Sequence, residues 1–456
     1  MTSAHAAMPP AREAVAPLVQ RRAQTLLAHA HEASPLYRER LREWRAGTTP
    51  WTAIEPAAKR ELMARFDDWV TDRAVTLAGA QAFAADPRRA GDDFLGRYAV
   101  WASSGTTGEP GLFVHDAFAL STYAMLTALR MDSAHWMSNL ARGLWQSGGR
   151  AVLVSALDGH YAGVSFWRLQ CRRNPWMAAR AKTLSVLLPA HELCAELNAF
   201  GPSFVASYPS TLSELARLQA EARLHISPVA LWAGGERLTP SAHAHIEQVF
   251  GDAHVINDYG ASECLSMAFE CPHGRLHLND DWVLLEPVDR QCRPVPPGEA
   301  SHSVLLTNLA NRVQPMIRYD LGDSVTLFPD ACPCGNPRPS LLVEGRCDDT
   351  LHLRDPSRHV VRLSPMALAT AVEERADVHR FQLRQVAPAA IELRVDTAGV
   401  PAADAACDKA MSALRSYLEG QGLPNVRLRF DPAPPQPDAP SGKLRQVVCA
   451  MHETRH

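Results

Sequence analysis

The feature that most limits the fold of this chain is a recurring local pattern between residues 98 and 260. Short apolar runs, RAVLVSAL (150–157), PSFVASY (202–208), PVALWAGG (228–235) and AHVINDYG (253–260), each end in a glycine, serine or proline turn. Most lead into a helical stretch such as STLSELARLQAEA (210–222). Runs of this length suit strands buried on both faces, and their alternation with helices predicts an α/β layer structure with a largely parallel sheet. In such sheets ligands bind at the carboxyl ends of the strands, where these turns lie.

The flanking segments read differently. VAPLVQRRAQTLLAHAHEASPLYRERLREW has a helical period, and Ser34-Pro35 marks a break in it. After about residue 345 a smaller unit begins, with helix-like stretches at 364–376 and 404–419 and strand-like FQLRQV and IELRV. We therefore expect a large domain over 1–345 and a small α+β domain over 346–456. At 456 residues the chain has room for both, and no internal repeat is present. A proline-rich stretch, 432–440, runs into Ser441-Gly442-Lys443.

Composition excludes several function classes. The net charge is only -3 and no basic tract stands out, so neither nucleic acid nor an anionic membrane surface is an expected partner. No uncharged apolar run reaches the roughly 18 residues of a spanning helix, and the N-terminus lacks the apolar core of a signal peptide. A cytoplasmic location is the expectation. Ten cysteines are too sparse for a disulfide scaffold and are expected as thiols or metal ligands.

Ser103-Ser104-Gly105-Thr106-Thr107-Gly108-Glu109-Pro110 follows the apolar YAVWA. Glycines let a backbone turn sharply and bring its N–H groups to a polyphosphate, and the hydroxyls add donors. The stretch lacks the Gly-Lys-Ser/Thr ending of a Walker loop. Further on, Asn257-Asp258-Tyr259-Gly260-Ala261-Ser262-Glu263 closes a strand with an aromatic ring, a glycine and a carboxylate. A ring can stack on adenine, and Glu263 can hold Mg²⁺ beside phosphate oxygens. Taken alone, such a run is more often an ordinary turn. Asp323, in Arg318-Tyr319-Asp320-Leu321-Gly322-Asp323, has two acceptor oxygens for two hydroxyls, or is a solvated acid at a strand end.

In this order the motifs resemble those of the adenylate-forming superfamily, which includes acyl-CoA synthetases, peptide-synthetase adenylation domains and luciferases. The resemblance implies an α/β fold: a large adenylate-forming domain with parallel and mixed sheets and helices, plus a small mobile α+β C-terminal domain. It assigns ATP to Ser103, Ser104, Gly105, Thr106, Thr107, Gly108, Gly234, Gly235, Glu236, Asp258, Tyr259, Gly260, Ser262 and Asp323. Arg346 would reach the nucleotide and Asp348 would be the hinge. Lys443 would insert between the carboxylate and the α-phosphate, where a cation stabilises two anions brought together in the transition state. One departure stands out: many members carry a lysine where this chain has Glu109.

A finer resemblance is to the phenylacetate–CoA ligase family. It rests on HEASPLYRERLREW and on Ser207-Tyr208-Pro209-Ser210, and covers nearly the whole chain. It implies activation of a carboxylic acid, aromatic or cyclic, to an acyl-adenylate, then transfer to a thiol. Coenzyme A is the usual acceptor; a carrier protein, an amine, or a purely nucleotide-binding role are the alternatives. The acid would lie among Trp136, Trp145, His160, Tyr161, Ala233, Gly260 and Ala261. A homodimer is left open.

The cysteines add a separate reading. Cys271, His273 and His277 lie in ECPHGRLHL, and Cys332-Pro333-Cys334 follows. Thiolates and imidazole at short spacings suit a closed tetrahedral Zn²⁺ site, with unligated thiols as the alternative. Cys271, His277, Cys332 and Cys334 are the expected ligands, with His273 in reserve.

Overall fold

The computed structural model describes residues 10–45, 49, 51–103, 111–130, 133–235, 238, 240–343, 351–363, 368, 371–372, 381–395, 403–436 and 447–449. A hairpin of β1 (Ala99–Ala102) and β2 (Leu112–His115) precedes the main sheet. That sheet is built from β3 (Ala151–Ser155), β4 (Ala181–Ser185), β5 (Phe204–Ser207), β6 (Ala230–Ala233), β7 (His254–Ala261), β8 (Cys264–Glu270) and β9 (Leu276–Leu278). After β10 (Val283–Val288), β11 (Ser303–Asn308) and β12 (Tyr319–Asp320), which form a separate three-stranded sheet, β13 (Val325–Leu327) and β14 (Ser340–Val343) complete it.

The nine strands run in the order β13-β14-β9-β8-β7-β6-β5-β3-β4. From β4 to β7 every pairing is parallel, and from β7 to β13 every pairing is antiparallel. The four apolar runs are β3, β5, β6 and β7, so the expected parallel sheet accounts for one half. β4 (AKTLS) escapes a reading of apolar runs because it is an edge strand, half-exposed and carrying Lys182.

The N-terminal helix Pro10–Ala33 ends where expected. Ser34 caps the next helix, Pro35–Arg40, its Oγ accepting from the N–H of Tyr37. Tyr37 and Trp69 are fully buried, and both donate to the carbonyl of Pro315 (3.1 and 2.7 Å). Burying such rings contributes roughly 2–3 kcal/mol each. This segment is therefore part of the body of the protein.

Beyond the main sheet, β15 (Leu351–Arg354) pairs with β16 (Val360–Leu363). A four-stranded sheet follows, in the order β19 (Arg427–Phe430), β18 (Ala390–Val395), β17 (Phe381–Ala387), β20 (Val447–Cys449). The helix Ala403–Gly420 buries Cys407, Ala410, Leu414, Tyr417 and Leu418, a helical spacing of apolar residues. Of 364–376, the described residues Leu368, Ala371 and Val372 are helical. The proposed domain junction at 345/346 lies outside the described residues. No helix among them is long and apolar enough to cross a membrane.

Candidate functional site

β7 is where the sheet changes direction. His254–Asn257 pair with β6 in parallel, and Asp258–Ala261 pair with β8 antiparallel. The register shifts between Tyr259 and Ala261. Gly260 makes this possible: a Cβ there would fall 2.1 Å from the carbonyl oxygen of Leu265. The bulge opens the carboxyl end of the parallel half onto a cavity of about 1340 Å³. Ser103, Tyr161, Gly234, Gly235, Asp258, Tyr259, Gly260, Ala261, Ser262, Glu263 and Asp323 all line it.

Two hydroxyl–carboxylate pairs order this face. Tyr259 Oη donates to Asp323 Oδ2 at 2.9 Å, and Tyr319 Oη donates to Glu263 Oε1 at 2.8 Å. The backbone of Ser262 and Glu263 is pinned from behind. Trp101 Nε1 donates to the Ser262 carbonyl (2.7 Å), as does His115 Nε2 (3.0 Å), and Asn308 Nδ2 donates to that of Glu263 (3.0 Å). Burial pushes the His115 pKa down to about 3, so the ring is neutral and serves as a fixed donor. Asn308 also donates to Tyr123 Oη, which lies 3.1 Å from His115 Nδ1.

Arg318 sets the direction of Tyr319. It adopts a left-handed φ of +47°, unusual without glycine. Its guanidinium is held by Glu286 (2.9 Å) and by the carbonyls of Thr52 (2.7 Å) and Ile54, and its N–H by Thr307 Oγ1 (2.9 Å). Strain of this kind persists where surrounding bonds over-determine it.

Burial raises the pKa of Glu263, against the opposing pull of the Tyr319 hydroxyl and the positive charge of Lys59. Burial likewise raises Asp258 to about 7, although Trp232 Nε1 donates to its Oδ1 at 2.9 Å. What exposure Asp258 retains is to the cavity. These are carboxylates whose charge is costly until a cation or donor arrives.

Several expected residues lie elsewhere. Trp145 is 91% exposed, on the outer face of the helix Ser133–Ser147, and takes no part in the cavity. His160 does not line it: the ring is buried against Phe83 (centroids 5.1 Å apart), with Nε2 2.8 Å from the Asp86 carbonyl. Ala233 is buried inside β6 and also stays off the wall. Trp136 lies on that same helix, its side chain outside the described residues. Ser104, Gly105, Thr106, Thr107, Gly108, Glu109, Glu236, Arg346, Asp348 and Lys443 are outside them as well. In place of His160 and Ala233, the apolar wall is made by Tyr161, Phe166, Trp167, Tyr208 and Trp232. Phe166 and Trp167 sit on the helix Ala162–Arg173, whose spacing reads simply as amphipathic.

Cys271, His277, Cys332 and Cys334 come together as expected from sequence, their donor atoms all within 4.8 Å of one another. Cys271 Sγ is 3.6 Å from Cys332 Sγ, and Cys334 Sγ is 3.2 Å from His277 Nε2. His277 Nδ1 faces the carbonyl of Arg338 at 3.1 Å, which leaves Nε2 as the ligating atom. Burial lowers the His277 pKa, favouring the neutral, ligating form. His273 is exposed in the turn between Cys271 and Arg275. Pairing with Ser340 holds His277 in β9, and this is what selects it over His273. Burial and the neighbouring thiols raise Cys334 to about 11, a load that a bound Zn²⁺ removes by taking thiolates. The donor set fits a closed tetrahedral ion.

No family model matches the chain. A phenylacetate–coenzyme A ligase from Thermus thermophilus is 25% identical over 371 residues, covering 78% of this chain and 76% of its own. A second, from Pseudomonas putida, is 24% identical over 378 residues with the same coverage. A solved 2-hydroxyisobutyryl-CoA ligase in the postadenylation state, with 2-HIB-AMP, aligns with a TM-score of 0.53 at 21% identity, over 100% of this chain and 95% of that one. In its thioesterification state, with 2-HIB-AMP and CoA, the same enzyme gives 0.57 at 22%, over 93% and 87%. The fold is that of the adenylate-forming ligases.

Proposed function

We propose that this chain, which is similar in sequence to the phenylacetate–coenzyme A ligases, is an AMP-forming acid–thiol ligase. It joins a carboxylic acid to ATP as an acyl-adenylate, releasing pyrophosphate, and passes the acyl group to the thiol of coenzyme A. The observation that carries this reading is the convergence of Tyr259, Asp323 and Glu263 at the turn of β7, held by the Tyr259–Asp323 and Tyr319–Glu263 bonds.

In this reading the ring of Tyr259 lies against adenine, and Asp323, oriented by the Tyr259 hydroxyl, accepts from the ribose hydroxyls. Ser103 stands at the base of the phosphate-binding loop, and Gly234 and Gly235 border the base of the nucleotide. Glu263 would hold Mg²⁺, which offsets phosphate charge when bound; a buried carboxylate of raised pKa is suited to such a cation. Lys443 and Arg346 supply the cations of the adenylation step, and Asp348 the hinge, as the sequence resemblance implies. The aromatic wall of Tyr161, Phe166, Trp167 and Trp232 favours an aromatic or cyclic acid. Zn²⁺ on Cys271, His277, Cys332 and Cys334 is structural, because four protein ligands leave no open position.

Pyrophosphate release from ATP over a panel of aryl and alkyl acids tests the first step. Adding coenzyme A, a carrier protein or an amine identifies the acceptor. No release with any acid, while ATP still binds, would leave a nucleotide binder. Lys443→Ala should abolish adenylation and largely spare thioester formation from a supplied acyl-adenylate; equal loss of both removes the role given to Lys443.

A further inference from the structure

A triphosphate needs cations, and the described wall of the cavity is short of them. It carries six carboxylates, Glu247, Asp258, Glu263, Glu270, Asp320 and Asp323, and among its described residues Lys59 is the one lysine or arginine. His243, a further basic group there, is engaged by Glu270 (3.2 Å) and Glu247 (3.3 Å). The phosphate-binding loop itself carries an acid, Glu109, and no lysine or arginine between Ser103 and Pro110.

Three features hold Lys59 in place. Ala57 makes a parallel bridge with Tyr319, its N–H donating to the Arg318 carbonyl and its own carbonyl accepting from Asp320, both at 2.9 Å. This fixes the start of the helix Lys59–Ala64 beside the residue that binds Glu263. Lys59 Nζ donates to Ser103 Oγ at 3.0 Å. That hydroxyl also accepts from the N–H of Gly111 (2.9 Å), and the Ser103 N–H donates to the Gly111 carbonyl (2.8 Å), closing the base of the loop. Finally, Gly111 leaves room for the lysine stem: a Cβ there would fall 2.8 Å from Lys59 Cε.

We propose that Lys59 is the cation that binds the β- and γ-phosphates of ATP, reaching the base of the phosphate loop from a helix far away in sequence. The proposal rests on the adenylate-forming reading of the site. In the adenylation step a carboxylate oxygen bonds to the α-phosphorus as the bond from that phosphorus to the β-bridging oxygen breaks. The leaving pyrophosphate takes the electron pair, and no proton moves. A fixed ammonium beside the leaving oxygens meets charge that grows during the reaction, so it lowers the barrier as well as aiding binding.

The test is calorimetric titration of the full-length wild type, Lys59→Met and Lys59→Arg with Mg²⁺-ATP and with AMP, followed by steady-state kinetics. Lys59→Met should lose about 10- to 100-fold in ATP affinity, the usual cost of a charge-assisted hydrogen bond. AMP, which has no β- or γ-phosphate, should bind within about twofold of wild type. The KM for ATP should rise and kcat fall with the KM for the acid unchanged, and Lys59→Arg should recover part of the loss. ATP affinity and kcat unchanged in Lys59→Met overturn the proposal. Equal loss of ATP and AMP also overturns it, since that is what a structural role would give. Wild type that binds ATP but releases no pyrophosphate with any acid sinks the ligase reading and leaves the ATP–AMP contrast to decide Lys59.

Discussion

The hydroxyl of Tyr319 donates to Oε1 of Glu263 at 2.8 Å, joining β12 to the turn after β7 in the wall of the cavity. Removing the hydroxyl leaves a buried carboxylate with one fewer donor. The cost of such a loss is about 1–3 kcal/mol. Tyr319→Phe should therefore lower kcat/KM for ATP about tenfold or more and raise the Mg²⁺ concentration needed for half-maximal rate. Wild-type Mg²⁺ dependence in this variant would show that Glu263 does not hold the ion.

Asp258 gives a pH signature. Its pKa is raised from 3.8 to about 7, so between those values the folded state holds a proton that the unfolded state has released. Stability from this group is complete below the unfolded pKa and declines as pH rises through the folded one. Thermal melts of the apo protein should fall in Tm from pH 5 to pH 7.5 more steeply for wild type than for Asp258→Asn. Parallel curves would place the carboxyl in a more solvated setting than its burial implies.

The cysteine cluster predicts about one equivalent of zinc in purified protein. Cys334→Ser and His277→Ala should lose the metal and lower Tm, whereas His273→Ala should keep both near wild type. Ligand pairs held across β9 and the 332–334 turn couple metal binding to folding of this edge of the sheet. A zinc assay by mass spectrometry on the four proteins decides it; retention of zinc in His277→Ala with loss in His273→Ala would reverse the assignment.

His160 and Trp232 should separate stability from specificity. His160 packs on Phe83 and meets the Asp86 carbonyl, away from the cavity. His160→Gln should cost about 1–3 kcal/mol of stability and leave the ranking of acid substrates unchanged. Trp232 lines the cavity and donates to Asp258, so Trp232→Phe should alter that ranking with a smaller change in Tm. A changed ranking in His160→Gln would return His160 to the acid site.

Much of this site was legible in sequence because it is written in contiguous motifs. Residues 257–263 stay together as the end of β7 and the turn after it, and the apolar runs are strands β3, β5, β6 and β7. The antiparallel half was not legible, since β8 (CLSMAFE) shows neither a long apolar run nor clean alternation and β13 is only three residues long. Trp145 and His160 were misplaced for a related reason. An aromatic ring or a buried histidine has the same sequence signature whether it faces a ligand, solvent or a neighbouring helix.

By itself the sequence determined four of the five parallel strands, the order of the motifs that resemble the adenylate-forming superfamily, the four cysteine and histidine residues that cluster and the acid at position 109. These follow from local rules: glycine for tight backbone, apolar runs for buried strands, thiols at short spacing for a soft metal. Only the tertiary structure decided which residues meet. Ala57 bridges Tyr319, Tyr319 reaches Glu263, and Lys59 reaches Ser103 past a glycine. Each partner lies dozens to hundreds of residues away, and no local propensity encodes that distance. Packing of the N-terminal helices onto the body brings them together, because Tyr37 and Trp69 are buried only there.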